Sequence, residues 1–209
     1  MRIYPPWYYS LAINILGRID LTIFSVLLAL GAALGLIWIA WETPRSEQST
    51  YLNTGIWVLV GVLVGGRIAY VAVHWEYFQD HIIEIPQMWL GGLSWPGALA
   101  GGLFTIVLVS WIKGIPLGSL ADGMLPLLAS LSVAVWLGCI FVGCAYGPEV
   151  DGWWGLPTRD EWGDFKNRLP LQLIVILLTI GFFWGIERLC QHRQGLVPGL
   201  AACLGLGGY

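Results

Sequence analysis

The 209-residue sequence predicts an all-α, polytopic helical membrane protein with about six transmembrane helices. Three observations carry this. Hydrophobic residues make up 57% of the chain and charged residues 11%, where soluble chains carry roughly 25% charged residues. The mean hydropathy is +0.72, and the apolar residues fall into long blocks. The 28 glycines and 13 tryptophans suit close helix packing and the membrane–water interface. The net charge of -3 offers no basic patch, which excludes nucleic acid as a partner.

The elements follow in chain order. Residues 1–20 hold Pro5, Pro6 and the cluster Trp7-Tyr8-Tyr9, then the apolar run Leu11–Gly17 with Arg18 and Asp20. No small-residue cleavage site closes this stretch, so it reads as an N-terminal interfacial segment rather than a signal peptide. Residues 21–209 form a single transmembrane domain. Its first span is Leu21–Trp41, free of charge and stopped by Glu42, Pro44 and Arg45. The second is Gly55–Val73, with one internal charge, Arg67. The third is Leu93–Ile112, ended by Lys113 and Gly114. The fourth is Leu117–Gly143, with Asp122 near its start. The fifth is Leu169–Ile186, and the sixth, Leu196–Tyr209, is short. Each except the sixth approaches the roughly 20 residues that cross a bilayer.

The loops set the orientation. Residues 74–95 contain Glu76, Asp80 and Glu84 and no Lys or Arg, so they lie outside. Loops with Arg45, with Lys113, and with Arg188 and Arg193 lie inside, and the N-terminus is outside. The outer loop 145–168 carries Arg159, Lys166 and Arg168, against the rule. That loop is rich in Gly, Pro and Trp. It reads as an interfacial flap, or as a docking surface for a partner at Trp153, Trp154 and Trp162.

Charge inside a span is the main pointer to function. Arg67, in Gly65-Gly66-Arg67-Ile68-Ala69-Tyr70, has two readings. With Tyr70 it holds an anionic lipid headgroup, because a guanidinium grips phosphate through two parallel bonds. Otherwise it snorkels or serves a structural pair. Asp122 reads as a carboxylate favoured by a helix N-terminus. The glycines of Gly91-Gly92 and of Gly97 and Gly101-Gly102 permit close backbone approach. The cysteines are Cys139, Cys144, Cys190 and Cys203. No CxxC pair occurs, and no His or Lys stands beside Cys139 or Cys144 to activate a thiolate, so inert thiols are expected rather than a redox pair. His74, His81 and His192 form no metal spacing, and neither a metal nor a cofactor is expected.

Several blocks, in order, resemble the bacterial prolipoprotein diacylglyceryl transferase family. Gly65-Gly66-Arg67-Ile68-Ala69-Tyr70 is similar to its GxRxGY. Trp89-Leu90-Gly91-Gly92-Leu93-Ser94-Trp95 and the glycines after it resemble its WxGGxSFHGG. Gly138, Gly143, Tyr146-Gly147, Trp154-Gly155 and Leu169-Pro170-Leu171-Gln172-Leu173 resemble its signature block, WG turn and HPxQLYE block. The resemblance implies a multi-pass protein of the bacterial inner membrane, in a family that moves diacylglycerol from phosphatidylglycerol to a lipoprotein cysteine. It also shows departures. The family's histidine falls at Pro96, its signature arginine at Trp136, its asparagine at Cys139, its glutamate near Cys144 and a tyrosine at Phe24.

The sequence thus keeps the scaffold and replaces polar groups that the chemistry would use. Three readings follow. The first is a non-catalytic pseudoenzyme on this scaffold, a subunit binding a phosphatidylglycerol-like lipid or other membrane proteins. The second is an active diacylglyceryl transferase working through other residues. The third is a different lipid-dependent enzyme or small transporter. The first is preferred, and the choice between the first two turns on Pro96 and Trp136.

Overall fold

A computed structural model describes residues 12–15, 19–88, 91–159 and 165–192. Its architecture is helical. Seven α-helices occur among the described residues: α1 (Ile23–Glu42), α2 (Gln48–Val73), α3 (Trp75–Phe78), α4 (Trp95–Lys113), α5 (Leu117–Gly123), α6 (Leu125–Val142) and α7 (Leu171–His192). Two small antiparallel hairpins accompany them: β1 (Ala12–Ile15) with β2 (Ile19–Thr22), and β3 (Leu156–Arg159) with β4 (Phe165–Arg168).

Helices α1, α2, α4 and α6 are long and apolar enough to cross a membrane, and α7 contains the shorter apolar stretch Leu171–Ile186. The first three expected spans and the fifth are therefore helices, shifted by a few residues except for α2, which starts seven residues early. The fourth is corrected. Leu117–Gly143 is not one helix but α5 and α6, broken at Met124. Pro126 explains the break. Its ring would strike the carbonyl four residues back, whereas it fits the first turn of a new helix. Asp122 accordingly lies in the last turn of α5, not in the first turn of a long span. The segment expected to be interfacial contributes the hairpin β1–β2, in which Ile13, Ile15, Ile19 and Thr22 favour extended backbone. Trp7, Tyr8, Tyr9, Trp162, Cys203 and the sixth span lie outside the described residues, as do the side chains of Cys190 and His192.

The chain divides into two compact units. One combines Met1–Gly35 with Leu127–Gln194; the other combines Leu36–Pro126 with Gly195–Tyr209. In the first, α1 runs antiparallel to α6, with Phe24 on Gly138, Gly31 on Ala134, and Gly35 on Leu127 and Ser130. In the second, α2 and α4 cross through two small-residue pairs. A Cβ on Gly61 would meet Gly101 and Thr105, and one on Gly65 would meet the backbone of Gly97 and Gly101. Lipid tails give helices no hydrophobic reason to associate, so contact this close supplies the attraction by dispersion.

Candidate functional site

Arg67 organises one end of the second unit. It lies near the end of α2 and is only 5% exposed. A cation there needs acceptors, because leaving it unpaired in an apolar setting costs several kcal/mol. The irregular backbone after α3 supplies them. Nε donates to the Ile85 carbonyl at 2.7 Å. Nη1 donates to the carbonyls of Gly91 and Gly92 at 2.7 and 3.1 Å. Nη2 donates to the Glu84 carbonyl at 2.6 Å. The guanidinium also lies 5.2 Å from the ring centre of buried Phe78 and 5.7 Å from that of Tyr70.

Gly91 and Gly92 adopt φ of 87° and 79°, a region that side-chain-bearing residues rarely occupy. A Cβ on Gly92 would strike Tyr70 and the Arg67 guanidinium. The Ser94 amide donates to the Gly66 carbonyl at 2.9 Å. The result is a clamp that fastens residues 84–85 and 91–94 onto the end of α2. Its geometry treats the two readings of Arg67 unequally. A guanidinium has five N–H groups, and four are directed at carbonyls. The single one left falls short of the two that a forked grip on phosphate uses. Pro96 follows in the first turn of α4, exposed and without a donor.

The first unit contains the other family-equivalent positions. Trp136 is half-buried in α6. Cys139 and Cys144 form a disulfide, which overturns the expectation of inert thiols. The physical reason is a helix cap. The amides of Gly143 and Cys144 both donate to the Cys139 carbonyl, at 2.9 and 3.0 Å, and Gly143 has φ 76°. In such a left-handed C-cap the residue beyond the glycine normally touches the helix residue five positions back. Here that contact is covalent.

The cap continues into a folded loop. Gln172, 2% exposed, donates from Nε2 to the Cys144 carbonyl at 3.0 Å. Gly147 rests against the Leu169 carbonyl. The Arg168 guanidinium lies 4.3 Å from the centre of the Tyr146 ring and 3.2 Å from Glu149 Oε1, which Lys166 also reaches at 2.7 Å. Phe24 packs over Gly138, so the neighbourhood of the disulfide gains an apolar ring. Gln172 and Arg168 were not singled out from sequence as buried anchors. The spacing of Cys139 and Cys144 around Gly143 was the available signal for the cap.

Beyond the cap, Trp153 is 92% exposed and Trp154 53%, with their rings edge to face. His74 and His81 are exposed, each with Nδ1 3.0 Å from a carbonyl one turn back. Among the described residues no group of three or more His, Cys, Asp or Glu is arranged to hold a metal.

Comparison with known proteins adds sequence relationships to this geometry. A family model described as prolipoprotein diacylglyceryl transferase matches residues 10–206. The phosphatidylglycerol–prolipoprotein diacylglyceryl transferase of Thermosynechococcus vestitus is 28% identical over 193 residues, covering 88% of this chain and 71% of that protein. Its counterpart in Synechococcus elongatus is 25% identical over 206 residues, covering 93% and 71%. That of Beijerinckia indica subsp. indica is 31% identical over 167 residues, covering 73% and 58%.

Proposed function

The chain belongs to the prolipoprotein diacylglyceryl transferase family and is a multi-pass protein of the bacterial inner membrane, and from this premise we propose that it is a non-catalytic member, a lipid- or partner-binding subunit of a membrane complex. One observation carries the proposal. The Cys139–Cys144 disulfide stands where the resemblance places an asparagine, at Cys139, and a glutamate, near Cys144. A disulfide neither takes nor gives a proton and bears no charge, so it performs no general acid–base or electrostatic work. Pro96 and Phe24 likewise lack the groups that the resemblance assigns to them.

The family positions that survive support the same reading. Arg67 ties a loop to α2, Gln172 holds the cap of α6, and Gly92 and Gly147 allow close packing. Each has a task in keeping the scaffold folded. The exposed pair Trp153 and Trp154 is the part of this chain we assign to partner docking, since aromatic side chains bury large area at low entropic cost.

Replacement of the transferase in a cell depleted of its own enzyme tests the proposal. This chain is expected to give no growth; growth would overturn the non-catalytic reading. Gentle purification tests the subunit role separately. A stoichiometric companion lost in Trp153→Ser and Trp154→Ser is expected, and a lone chain that is indifferent to both changes would refute docking there.

A further inference from the structure

A groove of about 1180 Å³ runs along the paired helices α2 and α4, within the second unit. Its walls are divided by chemistry. Over most of its length it is apolar, lined by Trp57, Val60, Val64, Ile68 and Phe104. Of its three threonines, Thr50 stands with the polar end, while Thr54 and Thr105 turn their hydroxyls back to carbonyls of their own helices at 2.8 Å. Neither of these two therefore offers a donor to an occupant. At one end stand Ser49, Asn53 and Lys113, and among the described residues these side chains have no hydrogen-bond partner. Lys113 is the one charged side chain in the lining.

We infer that this groove is a binding site for a single anionic phospholipid, with its phosphate at Lys113, Asn53 and Ser49 and one acyl chain along the trough toward Ile68. The length fits. From Asn53 to Ile68, α2 rises about 22 Å at roughly 1.5 Å per residue, more than the ~15 Å that half of a hydrocarbon core spans. The charge fits as well, since a cation at the end of an apolar trough matches an anion at the end of an apolar chain. The positive-inside rule places Lys113 at the cytoplasmic leaflet. The site is thus at the opposite end of α2 from Arg67.

A second transmembrane helix suits the trough less well. The glycines that would admit a helix, Gly61, Gly65, Gly97 and Gly101, are already spent on the α2–α4 crossing. Bulky Trp57 and Phe104 remain on the walls, and a flexible chain can fit between them. The inference is independent of whether the chain is catalytic, because it concerns retention of a lipid and not its reaction.

Native mass spectrometry of the full chain, titrated with phosphatidylglycerol or with phosphatidylcholine of matched acyl chains, tests it. One phosphatidylglycerol is expected to stay bound where phosphatidylcholine leaves. Lys113→Gln, an exposed change that leaves the fold alone, is expected to weaken phosphatidylglycerol by about fivefold, the factor for one Lys at an anionic surface. Ala100→Trp fills the trough and is expected to abolish retention at an unchanged unfolding temperature. Equal retention of both lipids, indifference to Lys113→Gln, or full binding by a folded Ala100→Trp would each overturn the site. A photoreactive group at position 100 that labels a polypeptide instead of lipid would do so too.

Discussion

Replacing Arg67 by Lys separates a structural clamp from a headgroup ligand. The charge is kept, so a phosphate that needs only a cation is still served. The fork is lost. A lysine ammonium is a point on a flexible stem, and it cannot span acceptors as separated as the carbonyls of Ile85, Glu84, Gly91 and Gly92. At least two of the four bonds should vanish. Each hydrogen bond to a charged group contributes about 1.5–3 kcal/mol, so the variant should lose about 3–6 kcal/mol. For a chain of this size that shifts the unfolding temperature by at least roughly 6 °C. The assay is thermal unfolding in detergent followed by tryptophan fluorescence, together with protease sensitivity of residues 82–94. Earlier melting with increased cutting in that segment is expected, whether or not phosphatidylglycerol is present. An unchanged melting temperature, with loss confined to lipid binding, would refute the clamp and restore the headgroup reading.

Other outcomes follow from the same packing. Converting Cys139 and Cys144 to Ala should cost about 2 kcal/mol, from the loop entropy of a bridge spanning five residues; a reductant titration should lower the wild-type melting temperature similarly and leave the double variant unmoved. Gln172→Leu should leave the part-buried Cys144 carbonyl without its donor, for about 1–3 kcal/mol, and part of that cost should disappear in the Cys139→Ala/Cys144→Ala background if the cap is one unit. Gly65→Val should drive α4 away from α2, because its Cβ would enter the backbone of Gly97 and Gly101. Loss of the folded, monodisperse species on size exclusion is the expected result, and a well-folded Gly65→Val would contradict the close crossing.

How far the sequence disclosed this arrangement varied with the range of the interaction. Charge-free runs such as Leu21–Trp41 name their own helices, because hydropathy is a property of the run itself. The break at Met124 was present in the sequence as Pro126, but unbroken hydropathy on both sides concealed it. Gly97 and Gly101 stood out in a glycine-rich block, while their partners Gly61 and Gly65 became meaningful only once α2 and α4 were paired. The disulfide has no thiolate activator to announce it; what pairs Cys139 and Cys144 is their place on either side of the helix-ending Gly143. Arg67 was legible as a buried charge. Its acceptors were not, since they are backbone carbonyls 17 to 25 residues away, positioned by left-handed glycines.

The central claim is that this scaffold has kept its fold and lost its chemistry. The most direct measurement is transfer of a radiolabelled diacylglyceryl group from phosphatidylglycerol to a lipobox peptide by the purified, folded chain, with an active relative in parallel. Losing one group that stabilises developing charge typically costs about 10²–10³ in rate, and here several positions are altered at once. The account predicts no transfer above the protein-free control. Turnover that scales with the amount of this chain would contradict it.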